Sequence, residues 1–173
     1  MLALGIDLGG TKAEAVLFSA AGQALWRLRV ATPSGSYTGT VRVLADLVAQ
    51  ARQAAGGRPF TVGIGTPGSQ TPDGLMKNCN STCLNAQPLQ RDVEAAIGQP
   101  VRLANDANCL ALSEATDGAG AGAAVVFAVI LGTGTGAGIA VHGRVLRGPN
   151  SLAGEWGHNM VPWGAPGEDP PFE

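Results

Sequence analysis

Residues 5–12, Gly-Ile-Asp-Leu-Gly-Gly-Thr-Lys, constrain this chain more than any other stretch. An apolar run, Leu2–Leu8, feeds directly into a glycine pair, and Ala13–Phe18 behind it reads as a second strand rather than a helix. The spacing predicts a strand–turn–strand hairpin. Gly9 and Gly10 are expected to take backbone angles closed to other residues and to let a ligand approach the main chain. Asp7, Thr11 and Lys12 add a carboxylate, a hydroxyl and an ammonium at the same turn. Such a turn suits phosphate binding with an acid beside it, which implies nucleotide chemistry.

The pattern returns later. Ala123–Leu131 reads as a strand, Gly132-Thr133-Gly134-Thr135-Gly136 as a glycine-threonine turn, and Ile139–Val141 and Arg144–Arg147 as strands. In the first copy the third strand is Ala24–Val30, where Leu25, Arg27 and Arg29 alternate with Trp26, Leu28 and Val30. Repetition at 2–30 and 123–147 predicts two related lobes, each offering a hairpin to a nucleotide's phosphates. Gly132–Ala137 also satisfies G-x-G-x-x-G/A, but that fingerprint needs a helix after the turn, and a strand is expected here. A P-loop sequence is absent.

Between the copies, a helix is expected from about Thr38 to Ala55, its face formed by Val41, Leu44, Leu47, Val48 and Ala51 and its end by Gly56-Gly57. Phe60–Gly65 reads as a buried strand ending in Thr66-Pro67-Gly68, and Leu75–Lys77 as a short extended piece. Leu89–Ile97 reads as a helix closed by Gly98, Val101–Ala104 as a buried strand, and Ala107–Ala115 as a helix. The glycine- and alanine-rich segment Asp117–Ala123 reads as a hinge, giving lobes 1–117 and 118–173 of an α/β protein.

Charge and composition narrow the function classes. A formal charge of −2 over 173 residues provides no field for nucleic acid or an anionic membrane. Gly118–Val141 carries no charge and is long enough to span a bilayer, but its glycines divide it, and core strands are the expected reading. The three cysteines form no C-x-x-C pair, which suits free thiols in a reducing cytosol. The N-terminus shows no basic region ahead of its apolar run, so a cytoplasmic protein is expected.

Two further segments carry candidate chemistry. Asn105-Asp106 sits where a buried strand passes into a helix, and either helix capping or catalysis explains it. A helix N-terminus favours an ionised carboxylate, the state that accepts a hydroxyl proton during phosphoryl transfer. Gly154-Glu155-Trp156-Gly157-His158 sets an acid and an imidazole between glycines, to hold ligand hydroxyls or, through His158, a metal.

With Gly5–Lys12, Asn105-Asp106, Gly132–Gly134 and Gly154–His158 in this order, the chain from Leu2 to about Trp163 resembles the ROK family of sugar kinases and repressors. Lys77-Asn78-Cys79-Asn80-Ser81-Thr82, Leu84-Asn85-Ala86-Gln87-Pro88 and Arg102–Cys109 look most like its fructokinase branch. The resemblance implies an actin-like, ribonuclease-H-like ATPase fold, here the N-terminal lobe and the start of the second. It implies ATP- and magnesium-dependent phosphorylation of a hexose, fructose first among the candidates, with other hexoses or a non-catalytic sugar-binding remnant as alternatives.

By the same resemblance, Gly9, Gly10, Thr11 and Lys12 and then Gly132, Thr133 and Gly134 form the two phosphate loops, with Asp7 near the magnesium. Asp106 is the implied general base, and Gly68, Asn80, Asn105, Asp106, Glu155 and His158 match hexose-holding positions. Repressor members carry a DNA-binding domain ahead of the first strand, and here that strand begins at residue 2, so a kinase is expected. Members continue into a cysteine-rich zinc motif joined by the histidine, then an adenosine pocket, and full-length members are implied to be homodimers. The 173 residues contain no such motif, so the expectation is an N-terminal part of a kinase, without zinc at His158.

Overall fold

The structure is a computed structural model that describes residues 1–131 and 135–157. It divides into two compact units, Met1–Asp106 and Ala107–Glu173.

The first unit is built on a five-stranded sheet. β1 (Leu2–Leu8), β2 (Lys12–Phe18) and β3 (Ala24–Ala31) form an antiparallel meander, and β4 (Phe60–Thr66) and β7 (Val101–Asn105) add in parallel beyond β1, in the order β3-β2-β1-β4-β7. Between β4 and β7 lie a two-stranded ribbon of β5 (Ser69–Gln70) and β6 (Met76–Lys77), and a single 3-10 turn, Thr82–Leu84.

Strand periodicity places the core. Leu2, Leu4, Ile6 and Leu8 of β1 are buried together with Ala13, Ala15 and Leu17 of β2 and Val62 and Ile64 of β4. They pack in one cluster with α1 (Tyr37–Ala54) through Leu44, Leu47, Val48 and Ala51, and with α2 (Leu89–Ile97) through Leu89, Val93 and Ile97. A fully buried aliphatic side chain of this kind contributes about 1.5–3 kcal/mol, so this layer holds the unit together. Ser36 sets the start of α1: its hydroxyl accepts from the Gly39 amide at 3.1 Å. On β3, Trp26, Leu28 and Val30 turn toward the core and Leu25, Arg27 and Arg29 toward solvent, as the alternation predicts.

The second unit carries a smaller antiparallel sheet, β10-β9-β8, of β8 (Val125–Leu131), β9 (Thr135–Val141) and β10 (Arg144–Val145). It repeats the meander of β1–β3, so the repeat is real at the level of strands. The uncharged run is thus divided between two strands, and among the described residues no helix is long and apolar enough to cross a membrane. β9 starts at Thr135, so the later part of the expected turn is strand.

The unit boundary falls at 106/107, and the expected hinge near 117 lies inside the second unit. Packing explains the difference. In α3 (Asp106–Thr116), Leu110, Ala111 and Ala115 cluster with Val126 and Ala128 of β8 and Ala140 of β9. Gly138 lets β9 come that close, because a Cβ there would lie 2.3 Å from the Ala107 carbonyl oxygen. The other face of β8 is open: Val125, Phe127, Val129 and Leu131 are all exposed.

Candidate active site

The first candidate group is the β1–β2 hairpin. Gly9 donates its amide to the Lys12 carbonyl at 2.9 Å, closing the turn. Neither Gly9 nor Gly10 uses a positive φ, contrary to the expectation of special backbone angles. Glycine matters here for space: a Cβ on Gly9 would sit 3.0 Å from the Lys12 oxygen, and one on Gly10 would sit 3.2 Å from the Ser81 hydroxyl. Thr32, which the sequence did not single out, braces the turn from beyond β3. Its hydroxyl donates to the Gly9 carbonyl at 2.9 Å and its amide to the Thr11 carbonyl at 3.0 Å. Gly10, Thr11 and Lys12 remain exposed at the tip.

Asp7 stands at the base of this hairpin, open to solvent, directly opposite Glu14 in the β1–β2 ladder. Its pKa is raised above the ordinary carboxylate value, first by partial removal from water and then by the Glu14 charge, with Lys12 and Arg29 pulling the other way. Glu14 is itself held by Arg27 at 3.3 Å and by a close ion pair with Arg29. An oxygen donor beside exposed backbone and a lysine fits magnesium, which is usually held by one or two carboxylates and the nucleotide's own phosphates.

The second group gathers at the C-terminal ends of β4 and β7, where parallel sheets place ligands. Asn105 ends β7 and Asp106 opens α3. The Asn105 amide nitrogen donates to the Gly68 carbonyl and to Asp106 Oδ1, each at 3.1 Å. Asn105 is buried and Asp106 half-buried. Gly68 has φ +70, and a Cβ there would lie 2.3 Å from the Lys77 carbonyl oxygen. No other residue fits this crossing of the β4–β5 turn and the end of β6.

Asn80 is exposed on the loop after β6. The preceding Cys79 is buried, and its thiol donates to the Pro67 carbonyl at 3.1 Å. Burial pushes the thiol up to about 11, with Cys83 and the Asp106 charge adding to the shift. Bonds therefore link the Pro67-Gly68 turn to Asn105 and Asp106 and, through Cys79, to the loop that carries Asn80.

In the second unit, Glu155 lies on a segment drawn tightly against β9. A Cβ on Gly154 would meet Gly138 Cα at 2.8 Å, and one on Gly157 would be 1.9 Å from the Thr135 carbonyl oxygen. The two glycines of Gly154-Glu155-Trp156-Gly157 therefore press backbone on backbone and fix the Glu155 carboxylate over Gly136. Glu155 Oε1 is buried and has no hydrogen-bond partner among the described residues. Asn108 of α3 supports the same region, its amide donating to the Ser151 carbonyl at 2.9 Å. Gly132, Thr133, Gly134 and His158 lie outside the described residues.

Among the described residues no group of three potential metal ligands occurs. A cleft of about 520 Å³ beside the N-terminal ends of β4 and β7, edged by Arg52, Arg58 and Arg102, contains none of the candidate catalytic or ligand-binding residues.

Comparisons with known proteins identify the family and the fold. The profile of the ROK family matches residues 3–170. An N-acetyl-D-glucosamine kinase of Pectobacterium atrosepticum is 42% identical over 159 residues, covering 91% of this chain and 52% of its own length. A ROK family glucokinase from Streptomyces griseus, solved with glucose and AMPPNP, superposes with a TM-score of 0.81 at 35% identity, over 93% of this chain and 51% of that one. A ROK hexokinase from Thermus thermophilus gives 0.79 at 36% identity, over 93% and 54%. The chain spans about half the length of the curated relatives it matches. The fold is the expected actin-like ATPase fold. The sugar-kinase resemblance holds; its narrowing to the fructokinase branch is not shown by relatives such as these, which are N-acetyl-D-glucosamine kinases. With the profile covering residues 3–170 and a relative 42% identical over most of the same stretch, the chain belongs to the ROK family.

Proposed function

We propose that this chain carries the sugar-binding and proton-accepting part of an ATP-dependent hexose kinase. One observation supports the reading above the others: the Asn105 amide ties the Asp106 carboxylate and the Gly68 turn together, each at 3.1 Å, at the ligand-bearing end of a parallel sheet. In this reading Gly68, Asn80, Asn105 and Glu155, with His158, hold the hexose. Gly9–Lys12, with Gly132–Gly134, receive the phosphates. Asp106 takes the proton from the attacking sugar hydroxyl as its oxygen bonds to the γ-phosphorus and the bond to the departing ADP breaks. Asp7 would hold the magnesium that accompanies the nucleotide, and that ion would supply charge neutralisation. The rest is positioning, because phosphoryl transfer asks little covalent work of the protein.

Two hexoses are supported by separate observations. The relatives' activity favours N-acetyl-D-glucosamine, and the segments Lys77–Thr82 and Leu84–Pro88 favour fructose. ATP consumption by the protein with N-acetylglucosamine, glucose, mannose and fructose tests both. Asp106→Asn is expected to lower kcat by about a thousandfold or more while sugar affinity stays within a few-fold. Near-normal turnover by Asp106→Asn would refute the base, and sugar binding without turnover of any sugar would favour a binding remnant.

A further inference from the structure

Asn80 is exposed, yet the residue before it is gripped by a side chain that nothing above uses. The Cys79 amide donates to Asn85 Oδ1 at 2.9 Å, and Asn85 Nδ2 donates back to the Cys79 carbonyl at 3.1 Å. This pairing satisfies both backbone groups of Cys79 with one planar amide, and it fixes which end of the Asn85 amide faces which group. Asn85 is itself well anchored. Its amide donates to the Thr82 carbonyl at 3.1 Å, and the next two residues pair with Met76: Ala86 donates to its carbonyl at 2.8 Å, and Met76 donates to Gln87 at 2.9 Å. The bracket therefore stands on the β6 backbone and reaches across six residues to the sugar loop.

We propose that Asn85 is a positioning residue for sugar recognition: it holds the Cys79–Asn80 peptide so that the Asn80 side chain meets a sugar hydroxyl without first having to be ordered. The inference rests on the hexose-site reading of Asn80. Three contacts converge on this loop: the Asn85 bracket, the Cys79 thiol on the Pro67 carbonyl at 3.1 Å, and Ser81 against Gly10. Asn78 adds a reason for the bracket, since its φ of 56 places a non-glycine residue in the left-handed region that the unbound chain seldom visits. A loop bent in this way and tipped by an exposed residue drifts unless something fixes its exit, and Asn85 is the side chain that does so with two bonds. Pre-ordering a recognition group improves binding by removing the cost of fixing it on arrival. Its loss should then appear in substrate affinity rather than in the chemical step.

The test uses Asn85→Leu, close in shape and unable to bond, Asn85→Asp, which keeps the acceptor for the Cys79 amide, and Asn80→Ala, all in the protein as its gene encodes it. Asn85→Leu is expected to raise the sugar KM about tenfold, with kcat at saturating sugar and the KM for ATP within about twofold. Asn85→Asp should fall between Asn85→Leu and the parent, and Asn80→Ala should raise the sugar KM at least as much as Asn85→Leu. If Asn80→Ala raises the sugar KM but Asn85→Leu does not, the positioning role is refuted and the hexose site stands. If Asn80→Ala leaves KM unchanged, the sugar-loop reading fails and takes the proposal with it. If Asn85→Leu lowers kcat and raises both KM values alike, Asn85 is structural only and the proposal is overturned.

Discussion

Asp7 and Glu14 face each other directly across the β1–β2 ladder, two carboxylates at the base of the hairpin proposed to receive phosphate. Like charges placed opposite one another destabilise a sheet, and here Arg27 and Arg29 pair with Glu14 from the neighbouring strand, which leaves Asp7 without either arginine as a partner in an ion pair. Asp7 bears the cost.

Asp7→Asn should therefore stabilise the protein at neutral pH. A carboxyl whose pKa is raised on folding binds its proton more tightly in the folded state, so stability falls as pH climbs from the ordinary value near 3.8 through the folded value. Above that window the penalty is full, and below pH 3.8 it is absent. The melting temperature of Asp7→Asn should exceed that of the parent at pH 7 and converge with it toward pH 3.8. The same variant should weaken binding of magnesium-ATP, read by its KM. A lower melting temperature at pH 7 would show that the Lys12 and Arg29 attractions outweigh desolvation and Glu14.

Gly68→Ala should destabilise the first unit strongly. The residue sits at φ +70, and the added Cβ would lie 2.3 Å from a backbone oxygen that no side-chain rotation can move away. Left-handed strain and the clash together should cost about 2–4 kcal/mol, measured by urea unfolding. A cost below about 1 kcal/mol would mean that the β4–β5 turn shifts freely away from Lys77.

Cys79 should be nearly inert in the native protein. With its thiol at about 11, roughly a thousandth is thiolate at pH 8, and the side chain is only 4% exposed. Titration with a thiol reagent at pH 8 should find a protected cysteine that becomes reactive only in denaturant. Rapid labelling of Cys79 in the folded state would show that its loop opens readily.

Much of this organisation is legible from local pattern. The β1–β2–β3 meander, the span of α1, the αL glycine that ends α2 and the junction at Asn105-Asp106 all follow from periodicity and turn residues, and those signals are local. What escaped was long-range. Asn85, Thr32 and Ser81 act through partners on other elements, and nothing in a lone polar residue's neighbours reveals which carbonyl it will meet. The unit boundary escaped for a related reason. The buried positions of α3 are Ala107, Asn108 and Ala111, too small and too polar to mark an apolar stripe, so the helix did not declare that it packs with β8 and β9. β5, two residues long, is defined only by its pairing with β6.

The row Val125, Phe127, Val129 and Leu131 on β8 leads to the last prediction. A contiguous apolar strand face in solvent is unusual and marks a surface that binds something or aggregates. Leu131 is 78% exposed and Val125 60%, whereas the opposite face of the same strand packs on α3 through Val126 and Ala128. In the 173-residue chain, Val125→Thr with Leu131→Ser should change stability by less than about 0.5 kcal/mol, the usual range for surface positions. It should also reduce binding of an apolar dye. Phe127 is left in place because its ring lies 6.5 Å from that of Trp156, so its replacement would mix two effects. A loss of several kcal/mol, the scale of core truncations, would instead mean that the row is covered in solution. Sedimentation of the parent chain would then separate a second copy, which doubles the mass, from burial within one chain, which does not.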